Sequence, residues 1–357
     1  MYRYCWILED KLAVSPQPFE ENIEFLSEIF DAVIVLLEPD ELMYDLEEWR
    51  RRNVDVMHVP VPPLYIPALL ELYKMTLWIS EKIKSGKKVL VHCYGGVGRS
   101  RTVAAAYLIF SEKMTLREAC ERVSKEDNEP VGFLELWLQE NILAIFEKLV
   151  SAVTPRELNA VLQLAERYNY GTGIKHASRV TELAISLFDN LKQPMNLDEN
   201  FLKPLIFASA LHDIGYKVNK PNYHTLTLTI IEQNEPSLRK ALTPSDIELT
   251  KWTALHHSLR AGDPRKNLQI PENIRENVAK LSAILRIADA LDTFRKLYVN
   301  GLTVSHQKNK ILITVYGDYE GGCRAEIRRA YRRAKLASQI LGKPIKFTYG
   351  GWTPRKH

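Results

Sequence analysis

The sequence predicts an α/β domain with a largely parallel sheet, then an all-α helical bundle that ends in a small αβ unit. Three observations carry this. Over residues 1–150, short β-branched apolar runs alternate with amphipathic stretches, as in strands joined by crossover helices. From Pro155 to Asp292 apolar residues recur every three or four positions, as in a bundle. After Gly301 come two strand-like runs, a basic helix and a last strand. The corresponding domains are 1–150, 151–296 and 297–357.

Taken in order, Tyr4 to Ile7 and Leu12 to Val14 read as strands, and Ser15-Pro16-Gln17-Pro18 as a turn. Asn22 to Phe30 is helical, and Asp31 to Leu37 is a buried strand by its β-branched content. Leu42 to Arg52 reads as a helix whose closing arginines suit its dipole. Val54 to Val61 is a strand, and Pro67 to Lys84 a long helix stopped at Gly86. Lys88 to Val91 is a strand, followed by helices at Thr102–Phe110, Thr115–Val123 and Phe133–Val150. Thr154, Pro155 and Glu157 form a capping box that opens the bundle. Bundle helices are expected at Pro155–Tyr168, Ile174–Leu191, Phe201–His212, Thr225–Glu232, Pro244–Leu259 and Asn273–Asp292. The tail holds strands at Gly301–Ser305, Lys310–Val315 and Ile345–Thr348 around a helix from Arg324 to Leu341.

Composition bounds the function. Apolar content of 46% and charged content of 26% are those of an ordinary globular protein. A net charge of +4 suits anionic substrates but is too small to argue for a nucleic-acid partner. No apolar run reaches membrane-spanning length, and Met1 to Trp6 lacks a signal-peptide pattern, so no membrane partner is expected. Cys5, Cys93, Cys120 and Cys323 are scattered, with no Cys-x-x-Cys, which fits a cytoplasmic protein with one reactive thiol.

The first candidate site is His92-Cys93-Tyr94-Gly95-Gly96-Val97-Gly98-Arg99-Ser100. It places a cysteine after a buried strand, in a glycine-rich loop, just before a helix N-terminus. Loop N–H groups and the helix dipole favour an anion there, and the same field favours a thiolate nucleophile. Arg99 follows Cys93 by one loop turn, and its planar fork can clamp two phosphate oxygens.

This stretch resembles the signature of cysteine-dependent protein phosphatases, in particular the small dual-specificity type. The resemblance implies a phosphatase fold over residues 1–150, with Cys93 attacking phosphorus to give a phosphocysteine. Arg99 would hold the phosphoryl oxygens with the loop from His92 to Gly98, and Ser100 would assist release of the thiolate; no cofactor is implied. One departure stands out. The family's general acid is an aspartate near the position that Pro63 occupies here, and proline cannot donate a proton. Substitutes are Asp40, with Glu38 and Glu41 beside it, or Glu126, Asp127 and Glu129; the first cluster is favoured because it too follows a strand's carboxyl end.

The second candidate site lies in the bundle. His176, His212-Asp213 and Asp289 fall on separate helices, and Asp289 interrupts an apolar face. A buried carboxylate needs a partner, and a divalent cation held by two imidazoles and two carboxylates satisfies all four groups. The set resembles the HD superfamily of metal-dependent phosphohydrolases, most nearly the HD domain of exopolyphosphatase and guanosine pentaphosphatase enzymes. That implies metal ligation by His176, His212, Asp213 and Asp289. His224, His256 and His257 are candidates for a second ion. Arg324, Arg328, Arg329, Arg332, Arg333 and Lys335 crowd the tail helix, either as a solvated face or as an anion-steering surface.

The expected function is hydrolysis of phosphomonoesters, on phosphotyrosine or phosphoserine/threonine proteins or a small phosphorylated substrate, coupled to a metal-binding HD domain. The alternatives are metal-dependent hydrolysis of a nucleotide or polyphosphate with the first domain as a phosphate sensor, or a phospho-binding scaffold without turnover. A homodimer is compatible with the bundle.

Overall fold

The structure, a computed structural model, describes residues 2–126, 129–130 and 137–353, with the backbone alone at 126, 129, 130 and 137. The chain divides into two compact units, Met1–Glu147 and Lys148–His357.

In the first unit the elements run β1 (Cys5–Leu8), β2 (Leu12–Ser15), α1 (Glu20–Ser27), β3 (Ala32–Val35), α2 (Glu47–Arg51) and β4 (Asp55–His58). There follow α3 (Leu69–Lys84), β5 (Val89–His92), α4 (Arg99–Ser111), α5 (Leu116–Val123), the short pair β6 (Lys125–Glu126) and β7 (Glu129–Pro130), and α6 (Trp137–Ala152). The sheet order is β1-β2-β5-β3-β4. All neighbours are parallel except β1, which pairs antiparallel with β2 at the edge. Central β5 is buried along its whole length, which explains its unbroken apolar run. Burying Val89, Leu90 and Val91 contributes roughly 1.5–3 kcal/mol each. The register aligns Ser15, His92 and Val35 across three strands. The loops leaving β2, β5 and β3 therefore emerge together at the carboxyl edge of the sheet, where parallel sheets bind ligands.

The helix expected from Leu42 to Arg52 is only the turn and a half of α2. Glu41 and Tyr44 are tied instead to Arg99 and His92, and those bonds hold the preceding chain in a loop. The strand expected to run to Val61 stops at His58, where Pro60 and Pro62 cannot donate to a ladder.

The second unit contains α7 (Pro155–Arg167), α8 (Ile174–Met195), α9 (Leu202–Leu211), α10 (Tyr223–Leu238), α11 (Pro244–His256) and α12 (Glu272–Ala290). The chain then forms β8 (Gly301–His306), β9 (Ile311–Tyr316), α13 (Glu320–Arg333), α14 (Lys335–Leu341) and β10 (Ile345–Tyr349). Thr154 caps α7 by the expected capping box: its hydroxyl accepts from the Glu157 N–H, and Glu157 accepts from the Thr154 N–H. Helices α8, α9, α11 and α12 form the packed centre. Strand β9 pairs antiparallel with β8 and parallel with β10. The single tail helix expected from Arg324 to Leu341 is two, broken at Ala334. The break lets α14 lie on α8 and α12 while α13 packs on α12 and β10. Among the described residues no helix is long and apolar enough to cross a membrane.

Candidate active site and candidate metal centre

Cys93 is buried at the carboxyl end of β5, and its Sγ lies 3.4 Å from Ser100 Oγ in the first turn of α4. The loop is held against the turn after β2. The Gln17 N–H donates to the Tyr94 carbonyl at 3.0 Å, and Gly96 adopts φ +72° with its backbone pressed on Pro16. A Cβ on Gly96 would stand 2.5 Å from Pro16 N, so only glycine fits. Behind the loop, buried Arg101 donates from Nε to the Gly96 carbonyl at 3.0 Å and from Nη1 to the Lys125 carbonyl at 3.1 Å. Tyr94 and Val97 point outward, so they contribute backbone to the cradle.

Arg99 is fixed from the β3 side. Its Nη1 and Nη2 donate to the two oxygens of Glu41 at 2.7 and 2.8 Å, and Nη1 also donates to the Val61 carbonyl at 2.6 Å. This fork-to-fork pair uses one edge of the guanidinium. The opposite edge, Nε–H with the second Nη2–H, has the geometry for two phosphoryl oxygens. The Arg99 guanidinium holds the Glu41 carboxyl below its ordinary range. Glu41 therefore stays ionised, and as a general acid it is corrected to a clamp on Arg99. Asp40, the favoured acid, is exposed on the same turn, and among the described residues nothing bonds it to the Cys93 loop. Its side chain reaches solvent because Glu41 takes the inward position. Asp127 lies outside the described residues, and Glu126 and Glu129 are described by backbone alone.

His92 is fully buried, and Tyr44 Oη meets its Nε2 at 2.6 Å. Burial pushes the imidazole down to about 3 and raises the Tyr44 hydroxyl, so the pair is a neutral hydrogen bond that fixes the strand end. Sequence reasoning did not find Tyr44 or Arg101.

In the second unit, His176 from α8 and His212-Asp213 just beyond α9 converge, each buried, with ligand atoms within 4.8 Å of one another. The two Nε2 atoms are 3.3 Å apart. Asp289 of α12 places Oδ1 at 3.6 Å from His176 Nε2 and 3.8 Å from His212 Nε2. Asp213 lies 3.7 Å from both imidazoles. His257 Nε2 approaches Asp213 Oδ1 at 3.7 Å, and its Nδ1 faces the Ala254 carbonyl.

The other ring nitrogens fix the tautomers. His176 Nδ1 meets buried Asp292 Oδ2 at 2.8 Å, and His212 Nδ1 meets the Ser209 carbonyl at 2.7 Å. With Nδ1 as donor, Nε2 of each neutral ring offers a lone pair to the centre. The chemistry of this donor set fits a divalent cation. His176 is raised to about 10, with Asp289, Asp292 and Asp213 as the neighbours that favour its cationic form. Gly171 adopts φ +73° where a Cβ would stand 1.8 Å from the Asp213 carbonyl, so a glycine lets the loop before α8 close over this centre.

His256 does not join the cluster. Its Nε2 meets Asn267 Nδ2 at 3.0 Å, and its Nδ1 faces the Gly262 carbonyl at 3.4 Å. His256 ends α11 and so points away from the face that His257 presents one residue later. His224 is buried against Tyr223 at a ring distance of 5.6 Å, and among the described residues it makes no contact with Asp213 or Asp289. Asp292, which orients His176, was missed; its spacing of three from Asp289 was the available signal.

Comparison with known proteins places two families along the chain. Residues 41–139 match the family model "Dual specificity phosphatase, catalytic domain", and residues 156–319 match "Ppx/GppA phosphatase, domain III". The chain joins a dual-specificity phosphatase domain to a Ppx/GppA-like domain. Phosphatidylglycerophosphate phosphatase PTPMT2 of Arabidopsis thaliana is 27% identical over 124 residues, 34% of this chain and 54% of that protein. Cyclin-dependent kinase inhibitor 3 of Rattus norvegicus is 28% identical over 114 residues, 31% of this chain and 53% of that protein. The chain spans about half the length of these curated relatives. The crystal structure of Tk-PTP in its active form is 39% identical, covering 41% of this chain and 96% of that one with a TM-score of 0.39.

Proposed function

We propose that the first unit hydrolyses phosphomonoesters through a phosphocysteine on Cys93. The observation that carries this is the fixed triangle of Cys93, Ser100 and Arg99, with Arg99 pre-oriented by Glu41. The Cys93 thiolate attacks phosphorus, a sulfur–phosphorus bond forms, and the bond to the leaving oxygen breaks. Arg99 and the loop amides hold the three equatorial oxygens as charge builds on them. Water then attacks the phosphocysteine, orthophosphate leaves, and Ser100 Oγ donates a hydrogen bond to the returning thiolate.

Proline at position 63 and the Glu41–Arg99 pair take the family's acid position and one candidate substitute out of use. Such a site works best on leaving groups that depart without a proton, so phosphotyrosine and other aryl phosphates are the favoured substrates. Missing acid help costs about 10²–10⁴-fold on alkyl phosphates.

The second unit is an HD-type metal domain in this reading. His176, His212, Asp213 and Asp289 would hold a divalent cation, with His257 beside it, and the cation would supply Lewis-acid activation of a phosphoester or of water. Asp292 and the Ser209 carbonyl orient the imidazoles. The four free thiols fit a reducing cytoplasm. The test is a phosphatase panel on the wild type, Cys93→Ser and Asp213→Ala, with and without divalent metals. Loss in Cys93→Ser alone supports the cysteine reading. Activity that survives Cys93→Ser and disappears with chelator assigns turnover to the second unit.

A further inference from the structure

The basic tail helix is not uniformly solvated. Arg324, Arg328, Arg329 and Arg332 are exposed, but Arg333 turns inward and is half-buried. Its Nη1 lies 3.2 Å from Asp289 Oδ2 and donates to the His257 carbonyl at 3.0 Å, while Asp289 Oδ1 is the oxygen nearest the two histidines. A second guanidinium reaches the centre from the turn after α12. Arg295 Nη2 lies 3.1 Å from Asp213 Oδ2, and its guanidinium stacks 4.5 Å from the Tyr216 ring centroid. Arg295 keeps 35% of its side chain exposed and Arg333 21%, while Asp213 keeps 3%. The two arginines thus stand on the solvent side of a buried centre.

Charge decides what this arrangement accepts. Asp213, Asp289 and Asp292 contribute −3, a divalent cation would contribute +2, and Arg295 with Arg333 contribute +2. The loaded centre is then left at +1, with two guanidinium forks at its mouth. Without the arginines the loaded centre would carry −1, so the two guanidiniums turn a charge that repels an anion into one that accepts it.

We propose that Arg295 and Arg333 form a two-sided phosphoryl clamp at the mouth of the metal centre. The proposal rests on the metal-centre reading above. The ligand class is a phosphoryl group, presented singly or in a phosphate chain. The planar forks suit tetrahedral oxyanions, which lysine would hold only as a point charge.

The test uses the full chain loaded with Mn²⁺ and follows paramagnetic broadening of the phosphorus NMR signal. This reads phosphate close to the metal, and an Arg99→Ala background removes phosphate held in the Cys93 loop. The probes are inorganic phosphate and a non-hydrolysable methylene-bridged triphosphate. The expected result is Mn²⁺-dependent broadening that saturates in the wild type. Arg295→Gln and Arg333→Gln should each weaken phosphate binding about 10-fold or more, with Mn²⁺ affinity retained and Arg333→Lys partly restoring it. Much tighter binding of the triphosphate identifies a chain ligand; similar binding identifies a single phosphoryl group. Bound Mn²⁺ with no broadening, or equal broadening in both glutamine variants, overturns the clamp alone. Loss of Mn²⁺ together with phosphate in both variants makes the arginines structural and also overturns it. A wild type that binds no divalent cation overturns the clamp and the metal centre together.

Discussion

His176 Nε2 and His212 Nε2 face each other across 3.3 Å, with the Nδ1 of each ring already engaged by Asp292 or the Ser209 carbonyl. Without metal a proton on His176 bridges that gap, and Asp213 and Asp289 beside it supply the carboxylates for a divalent cation to take the proton's place. The chain is therefore expected to bind a divalent cation, with stripping lowering its melting temperature. Saturation at a hundredfold excess over Kd stabilises by about 2.7 kcal/mol, and Asp289→Asn should abolish most of that increment. Calorimetry with and without chelator reads it; an unchanged melting temperature after stripping contradicts it. Because His176 sits at about 10 without metal, cation uptake at neutral pH releases a proton and affinity rises with pH.

The Glu41 carboxylate positions Arg99 rather than donating a proton. Glu41→Gln keeps one hydrogen bond and loses the ionic fork. The expected loss in kcat/KM on an aryl phosphate is roughly 10–100-fold, with Glu41→Asp intermediate. A proton donor would instead show a selective loss on alkyl phosphates and a missing basic limb in the pH–rate profile.

Gly96→Ala forces a Cβ into the Pro16 backbone at positive φ. The strain is of order 1–3 kcal/mol, and the loop relieves it by moving away from Pro16. Activity should fall sharply while circular dichroism shows a folded chain. Wild-type kinetics in Gly96→Ala would show that the approach to Pro16 does not shape the cradle.

His92 should stay neutral throughout the working range, because burial holds it at about 3. The folded pKa lies below the unfolded value of 6.5, so the unfolded chain binds the proton first as pH falls. This contribution to stability is intact above about pH 6.5 and declines below it by up to ~1.4 kcal/mol per pH unit, until the folded ring itself protonates. Imidazole NMR should show no His92 titration between about pH 8 and 4. A midpoint near the ordinary histidine value contradicts it.

Much of this was legible in the sequence, for physical reasons. The Val89–Val91 run reads as a buried strand because a central parallel strand has no polar face. The loop from His92 to Ser100 reads as a cradle because its chemistry is local. His176, His212-Asp213 and Asp289 were visible because a buried acid in an apolar helix has few explanations. What escaped depended on contacts distant in sequence. Glu41 and Arg99 are 58 residues apart, and only the fold decides that Glu41 rather than Asp40 turns inward. Arg333 looked like its exposed neighbours because period alone cannot tell which face of α13 meets Asp289. His256 and His257 are adjacent, and only the end of α11 separates their directions.

The central claim is that Cys93 carries the phosphoryl group. The most direct measurement is acid-quenched mass spectrometry of the full chain after mixing with an aryl phosphate. The expected product is one phosphate on the Cys93 peptide of the wild type, longer-lived in Ser100→Ala and absent in Cys93→Ser. Steady turnover with no phosphate on Cys93 in any of these proteins, or turnover undiminished in Cys93→Ser, would contradict it.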